Sequence, residues 1–196
     1  MNKLNKFFER IARLFTFFIS VNYKLSHKYQ NKNQITNAEI VLNLLKKKDF
    51  NPKVIVDIGC GYGEWTKKLL KFFPNSEYFL FDADSDNSYK LDGLKKQHKN
   101  LNFKICLLSD DNSKYTFFKM GYGSSIFEEQ TKNKKEILQI KSTTLCDELP
   151  SRVKNQNDNL IKLDVQGAEL KVLDGLKECI DYFEIIILEV SLHNYN

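Results

Sequence analysis

Acidic side chains recur along this sequence at or near the ends of short apolar runs. The five are Asp57, Asp82, Asp110, Asp164 and Glu189. If the runs are parallel strands of one sheet, these side chains gather at its carboxyl edge, where such sheets bind ligands. A rim of carboxylates there suits a ligand that carries hydroxyl groups, an amine or a sulfonium.

The first acid opens a glycine-rich segment that reads Asp57-Ile58-Gly59-Cys60-Gly61-Tyr62-Gly63. Glycines let a backbone turn tightly and approach a ligand closely. Nicotinamide-binding loops have the spacing G-x-G-x-x-G and hold a pyrophosphate, whereas this loop is G-x-G-x-G beside a carboxylate. A carboxylate repels pyrophosphate but attracts the ammonium and sulfonium groups of S-adenosylmethionine. We therefore expect Asp57, Gly59, Gly61 and Gly63 to bind S-adenosylmethionine, with an NAD-dependent enzyme on the same sheet as a rival interpretation.

The next two acids are candidates for the rest of the cofactor. Asp82 stands 23 residues after the first glycine of the loop, where an acid can accept hydrogen bonds from both ribose hydroxyls. Its alternative role is to cap a helix, because Asp84 and Ser85 follow. Asp110, with Ser109 beside it, could bind the adenine amino group, or it could serve only as a turn residue.

Methyl transfer to a hydroxyl group requires an aligned acceptor oxygen and a base that removes its proton. Asp164 is the first candidate for this base or for positioning the acceptor. Glu169, in the first turn of the following helix, is the second, and its alternative role is to stabilise the helix dipole. The loop from Gly121 to Ser125 could close over the acceptor. His193 is another candidate base, although it is expected to lie in a mobile tail. The carboxylates have no spacing that specifies a metal.

These residues must be positioned by strands that alternate with helices. The predicted strands are Val54–Ile58, Glu77–Phe81, Asn102–Leu108, Leu160–Asp164 and Glu184–Glu189. The predicted helices run from Thr36 or Asn37 to Leu45, and over Glu64–Phe73, Tyr89–His98 and Ala168–Ile180. This alternation predicts an α/β fold, a Rossmann-like, doubly wound and mostly parallel sheet with helices on both faces. Tyr115–Met120 and Ile137–Lys141 interrupt the alternation and are predicted to form a small inserted β-hairpin.

Composition narrows the class of protein. The net charge is +5, but the lysines are scattered and belong to no nucleic-acid-binding motif, so no nucleic-acid partner is expected. The four cysteines, Cys60, Cys106, Cys146 and Cys179, are widely spaced and form no C-x-x-C pair. This pattern predicts buried free thiols in a reducing, cytoplasmic compartment and no disulfide.

The first 34 residues are predicted to lie outside the main domain, which we place at residues 35–196. Residues 7–21 are apolar but interrupted by Glu9, Arg10 and Arg13, a pattern that favours a basic amphipathic helix over a signal peptide. A polar linker follows. We expect the helix to dock on the domain or on a partner, and an anionic membrane surface is the alternative.

Three stretches of the sequence resemble the FkbM-type methyltransferases, a class I group that depends on S-adenosylmethionine. They are VIVDIGCGYGEW at 54–65, FDAD at 81–84 and LIKLDVQGAELKVLDG at 160–175. The resemblance covers about residues 52–191. It implies a Rossmann-like fold, S-adenosylmethionine as methyl donor, and usually O-methylation of a sugar, a glycan or a small metabolite. It also assigns the cofactor loop to Asp57, Gly59, Gly61 and Gly63, and the ribose contact to Asp82.

The sequence departs from the family pattern in three places. Gln166 and Asp82 both stand where the family commonly has Glu, and the predicted strands end with the fifth. We therefore expect one of two situations: the domain is incomplete at its C-terminus, or a partner, an oligomer or the N-terminal segment covers the apolar edge at Ile185–Val190. The alternative function is a catalytically inactive protein that keeps the fold and binds the cofactor or a partner.

Overall fold

The computed structural model describes residues 37–129, 134–155 and 158–189. The chain divides into two compact units, one up to Lys48 and one from Asp49 onward. In the first unit, helix α1 spans Asn37–Lys47, which confirms the predicted helix. The predicted boundary after residue 34, the amphipathic helix and the linker lie outside the described residues. Within those residues, no helix is both long enough and apolar enough to cross a membrane.

The second unit alternates strands with helices in chain order. Its strands are β1 (Val54–Ile58), β2 (Glu77–Asp82), β3 (Leu101–Ile105), β4 (Leu107–Leu108), β5 (Lys114–Lys119), β6 (Glu136–Thr143), β7 (Asn159–Leu163) and β8 (Phe183–Leu188). Its helices are α2 (Glu64–Phe72), α3 (Ser88–Gln97), α4 (Leu145–Glu148) and α5 (Glu169–Gly175). Short 3-10 turns span Ser85–Asn87, Gly121–Gly123, Val153–Asn155 and Ile180–Tyr182.

Five strands form the main sheet in the order β3-β2-β1-β7-β8, and every pairing between neighbours is parallel. The strands β1 and β7 are buried along their whole length, because parallel strands in such a sheet are covered on both faces. Strand β8 is an edge strand among the described residues and is mostly half-buried. What covers that edge stays a prediction.

The strand order reverses between β1 and β7. From β1 the chain continues to β2 and β3 on one side, and from β7 it continues to β8 on the other. Because crossovers between parallel strands are right-handed, helices α2 and α3 lie on one face of the sheet and α5 lies on the opposite face. The predicted Rossmann-like, doubly wound fold is confirmed, and its ligand-binding point is the carboxyl end of β1 and β7.

The insertion forms a second, three-stranded sheet in the order β4-β6-β5. Strands β5 and β6 pair antiparallel, from Lys114 opposite Lys141 to Lys119 opposite Glu136, which confirms the predicted hairpin. The predicted third strand, 102–108, is interrupted. It pairs with β2 only to Ile105, the N–H of Cys106 donates to the carbonyl of Asp82, and the next two residues pair with β6 instead.

The predicted helix Ala168–Ile180 is shorter than expected, because α5 ends at Gly175. A Cβ atom at this glycine would lie 2.2 Å from the carbonyl oxygen of Ser109. The close approach explains why glycine is needed here, and the chain continues beyond it as turns and the 3-10 turn Ile180–Tyr182.

The prediction of four free thiols is wrong for two of them. Cys146 and Cys179 form a disulfide whose Cα atoms are 5.9 Å apart, and it joins α4 to the segment after α5. Cys60 and Cys106 are free. Burial raises the pKa of Cys106 to about 12 and that of Cys60 well above its ordinary value, so both remain protonated thiols at neutral pH.

Candidate functional site

A cavity of about 400 Å³ lies at the carboxyl edge of the main sheet. Strand-end residues and the inserted loop line it together: Gly59, Gly61, Tyr62, Trp65, Asp82, Leu107, Leu108, Tyr122, Ser125, Lys162, Asp164 and Glu189 are among its walls. This position is the reversal point of the strand order. Its volume falls in the usual range for small-molecule sites, roughly 300–1,000 Å³.

The three loop glycines have different roles, although all adopt positive φ angles. A Cβ atom at Gly59 would lie 1.8 Å from the carbonyl oxygen of Asp164, so this glycine lets the loop pack on the end of β7. At Gly63 a Cβ atom would lie 2.8 Å from the side chain of Leu94 on α3. Only Gly61 faces open space, with no atom within 4 Å of an added Cβ. Gly61 therefore leaves room for a ligand, while Gly63 lies outside the cavity lining.

Asp82 lines the cavity and is tied to the glycine loop. Its Oδ2 accepts a 2.7 Å hydrogen bond from the N–H of Gly61, and its Oδ1 accepts from the N–H of Asp84 and from Nδ2 of Asn87. Burial raises the pKa of the Asp82 carboxyl, although these hydrogen bonds oppose the shift. The alternative role as a cap falls to Asp84, which accepts from the N–H of Asp86 in the 3-10 turn.

Asp57 is fully buried and does not line the cavity. Oγ1 of Thr66 donates to its Oδ2 at 2.6 Å, and Nζ of Lys162 lies 3.4 Å from its Oδ1. The structure does not bring this carboxylate to the cavity wall, and its expected direct contact with the cofactor stays a prediction. Of this ion pair, only Lys162 lines the cavity.

Ser109 and Asp110 also lie outside the cavity lining. Oγ of Ser109 and the hydroxyl of Tyr115 both donate to Oδ1 of Asp110, and Nζ of Lys171 lies 3.4 Å away. These contacts join the insertion to α5. In place of the expected adenine contact, the cavity has the apolar side chains of Leu107 and Leu108.

Lys162 is 5% exposed and lies between two carboxylates. Its Nζ donates to Oδ2 of Asp164 at 3.2 Å, in addition to the ion pair with Asp57. Burial lowers the pKa of Lys162, but the two carboxylates raise it by more, so its pKa lies above the ordinary value. Lys162 could not be recognised as a site residue from the sequence, because a single lysine within an apolar run is no signal. The signal that could have found it is the strand register, which pairs Lys162 with Asp57.

Asp164 and Glu189 both line the cavity and interact with each other. Oδ1 of Asp164 accepts a 2.7 Å hydrogen bond from Nε2 of Gln166. Partial burial raises the pKa of Glu189, and the nearby carboxylate of Asp164 raises it further. Glu189 belongs to the acidic rim predicted from the sequence, but its sequence position did not distinguish it as a site residue.

Glu169 does not face the cavity. Its Oε1 accepts hydrogen bonds from the N–H groups of Val165 and Gly167, at 3.0 and 3.2 Å. This carboxylate caps the turn that leads into α5, where it also complements the helix dipole. In the structure these contacts give Glu169 a structural role, and the catalytic role suggested for it stays a prediction. His193 lies outside the described residues.

The inserted loop from Gly121 to Ser125 contributes to the cavity wall. The ring of Tyr122 meets the ring of Tyr62 edge to face, with centroids 5.9 Å apart, and Oγ of Ser125 donates to the carbonyl of Gln166. Nζ of Lys119 also joins the insertion to Asp84 and Asp86 beyond the end of β2. Contacts with three elements thus hold the insertion beside the cavity.

Across 37–129, 134–155 and 158–189, no group of three or more His, Cys, Asp or Glu side chains is arranged to hold a metal ion.

A parallel Rossmann-like sheet with a glycine loop and a cavity at its reversal point places this chain among the doubly wound α/β proteins, which bind ligands at the carboxyl ends of their strands. Residues 49–196 match the family described as Methyltransferase FkbM domain, and the chain belongs to that family. The resemblance seen in the sequence is thereby confirmed.

Individual relatives are more distant. One stretch of 58 residues, 29% of this chain, is 36% identical to O-methyltransferase 4 of Dictyostelium discoideum and spans 17% of that protein's length. The fold is similar to precorrin-6y C5,15-methyltransferase of Geobacter metallireducens GS-15, with a TM-score of 0.42 and 14% identity over 83% of this chain and 66% of the other. It is also similar to coclaurine N-methyltransferase bound to N-methylheliamine and SAH, with a TM-score of 0.31 and 15% identity over 39% of this chain and 25% of the other.

Proposed function

We propose that this protein transfers the methyl group of S-adenosylmethionine to a hydroxyl oxygen of a sugar, a glycan or a small metabolite. The observation that carries the proposal is the hydrogen bond from the N–H of Gly61 to Asp82 in the cavity wall. It joins the glycine loop to an acid at the end of the neighbouring strand, where a ribose can be held by both its hydroxyls. Membership of a methyltransferase family selects the methyl donor as the nucleoside ligand.

The cavity fits the donor at three points. The open side of Gly61 leaves room for close approach to the backbone, and Asp82 offers acceptor oxygens to the ribose. The side chains of Leu107 and Leu108 offer an apolar surface to the adenine ring. When bound, S-adenosylmethionine supplies a methyl group on a positively charged sulfur.

The Asp164–Glu189 pair supports a hydroxyl acceptor. A hydroxyl group loses its proton on methylation, and a positioned carboxylate can take it. A carboxylate whose pKa is raised is the stronger base, and Glu189 has this property because of partial burial and Asp164. We assign proton removal to this pair, with Glu189 as the acceptor of the proton. The name of the Dictyostelium relative, an O-methyltransferase, agrees with this choice.

The donor half of the proposal is tested by titration calorimetry of the full chain. We expect one binding site for S-adenosylmethionine and for S-adenosylhomocysteine, and much weaker binding of NAD⁺, because the cavity wall carries the carboxylates of Asp82, Asp164 and Glu189. Preferential binding of NAD⁺ would contradict the proposal and would favour a dehydrogenase on the same sheet.

A further inference from the structure

The cavity is acidic, but it has one cationic side chain among the described residues of its wall. Glu64, Asp82, Asp164 and Glu189 supply the carboxylates, and Lys162 supplies the ammonium. Lys162 is nearly fully buried. A buried ammonium is costly to desolvate unless its hydrogens find partners, and two carboxylates beside the cavity, Asp57 and Asp164, are in reach of Lys162.

The contacts of Lys162 leave donor capacity for a ligand. An ammonium group has three N–H donors. One donates to Oδ2 of Asp164 at 3.2 Å, and the ion pair with Asp57 lies at 3.4 Å. These two carboxylates hold the nitrogen at the end of its buried stem, and the ring of Trp65 in the cavity wall has its centroid 5.8 Å from Nζ. The ring uses no conventional hydrogen bond, so one N–H remains for an acceptor.

The site around Lys162 presents opposite charges side by side. The ammonium of Lys162 and the carboxylate of Asp164 are in contact, and both line the cavity. A free α-amino acid has a carboxylate and an ammonium on one carbon. It is complementary to this pair when its carboxylate meets Lys162 and its ammonium meets Asp164. The acidic rim alone would accept only the ammonium.

The distance from Asp82, where the ribose is proposed to bind, to Lys162 matches the length of a nucleoside joined to an amino acid. Asp82 lies at the end of β2 and Lys162 lies on β7, and the two strands are separated by β1 alone. Two strand spacings are about 10 Å, which is the scale of a ligand that joins a nucleoside to an amino acid.

We propose that Lys162 binds the carboxylate of the amino-acid end of the methyl donor, with Asp164 beside it for the ammonium. The proposal rests on the proposed function, because it names the recognition of part of that donor. The acid at the start of the glycine loop then has an indirect role. Asp57 holds the lysine that binds the ligand and does not bind the ligand itself.

The first experiment changes the ligand and leaves the protein intact. Calorimetry compares S-adenosylmethionine with its decarboxylated analogue, which keeps the sulfonium and the ammonium but lacks the carboxylate. Removing one charge-assisted hydrogen bond should weaken binding about tenfold or more. Equal or tighter binding of the analogue would overturn the proposal. Binding of neither ligand would instead remove the proposed function itself.

The second experiment changes the lysine in a background that tolerates its loss. Lys162→Met alone would leave Asp57 buried without its cation, so the comparison is Asp57→Asn against Asp57→Asn/Lys162→Met. Loss of Lys162 should weaken the binding of S-adenosylmethionine about tenfold or more. The affinity for the decarboxylated analogue should change by less than about threefold. Equal weakening of both ligands would assign Lys162 to positioning Asp164 only, and would overturn the proposal.

Two controls complete the test. Lys96→Met removes an exposed lysine of α3 that pairs with Asp92, and it should leave both affinities unchanged. Lys162→Arg keeps the charge, so it should retain discrimination between the two ligands even where affinity falls. If the double variant does not fold, both ligands are compared on the unaltered protein and on Lys162→Arg. Equal binding of S-adenosylmethionine and its decarboxylated analogue by Lys162→Arg would count against the proposal.

Discussion

The backbone N–H of Gly61 lies 2.7 Å from Oδ2 of Asp82, and this hydrogen bond joins two walls of the cavity. Gly61 is in the loop after β1, and Asp82 is the last residue of β2. The same carboxylate also holds the turn that follows β2 through Asp84 and Asn87. One side chain therefore orders the glycine loop and the opposite turn, and still faces the ligand.

Asp82→Asn should weaken S-adenosylmethionine binding about tenfold or more. The amide removes a charge that accepts from the ribose, and it disturbs the acceptor for the N–H of Gly61, each worth about 1 kcal/mol or more. Titration calorimetry measures the change. Asp92→Asn, on an exposed position of α3 where Asp92 pairs with Lys96, is the matched control. Unchanged affinity in Asp82→Asn would place the ribose elsewhere.

The pKa of Glu189 should fall when Asp164 is replaced by Asn. Partial burial and the charge of Asp164 raise this pKa, Lys162 lowers it, and Glu169 raises it. Without the negative charge of Asp164 nearby, the carboxyl of Glu189 ionises more readily. As a base, Glu189 acts only when deprotonated, so activity should decline as pH falls through its raised pKa, and in Asp164→Asn this decline should move to lower pH.

NMR titration of the Glu189 carboxyl carbon measures this shift without an acceptor substrate. Glu184→Gln is the control, since Glu184 is an exposed residue of β8 and is not among the groups that shift the pKa of Glu189. An unchanged pKa in Asp164→Asn would contradict the coupling of the two carboxylates.

Alanine at Gly59 should destabilise the fold far more than alanine at Gly61. At Gly59 the added Cβ meets the backbone of Asp164 at 1.8 Å, and such overpacking costs about 1–3 kcal/mol or more. At Gly61 the only cost is that of a left-handed backbone, about 1–2 kcal/mol, because the space is open. Urea denaturation gives both free energies of unfolding. Equal losses would mean that the loop does not pack on the end of β7.

Reduction of the Cys146–Cys179 disulfide should lower the stability of the domain. The cysteines are 33 residues apart, and the chain-entropy estimate for a loop of this length is about 3–4 kcal/mol. Thermal unfolding with and without dithiothreitol measures the effect. Cys146→Ser/Cys179→Ser should show the lower stability in both conditions, and a wild-type melting temperature that does not respond to reductant would contradict the bond.

The sheet could be predicted from the sequence because its strands are apolar runs separated by amphipathic helices and turns. Val54–Ile58 and Asn159–Leu163 are buried on both faces, which gives a strong local signal. The end of α5 was harder to predict from the sequence. Gly175 at this end lies against Ser109, and the two residues are far apart in the chain. The disulfide was missed for the same reason, since nothing local pairs Cys146 with Cys179.

The site was predicted in part. Gly59, Gly61, Asp82 and Asp164 line the cavity, because strand ends locate them, whereas Asp57 and Gly63 do not. Whether a side chain faces the cavity or the interior depends on its tertiary partners. Thr66 and Lys162 hold Asp57 in the interior, and two backbone N–H groups of the turn before α5 hold the carboxylate of Glu169. Neither set of partners can be recognised from spacing.

Transfer of a labelled methyl group distinguishes an active methyltransferase from an inactive protein with the same fold. The full chain is incubated with S-adenosylmethionine labelled in the methyl group and with a panel of sugars, glycans and small hydroxyl compounds, and products are separated by mass. The account predicts a methyl ether on at least one acceptor, at a rate that falls strongly in Glu189→Gln. Binding of S-adenosylmethionine without transfer to any hydroxyl would contradict the account and would identify a cofactor-binding protein with this fold.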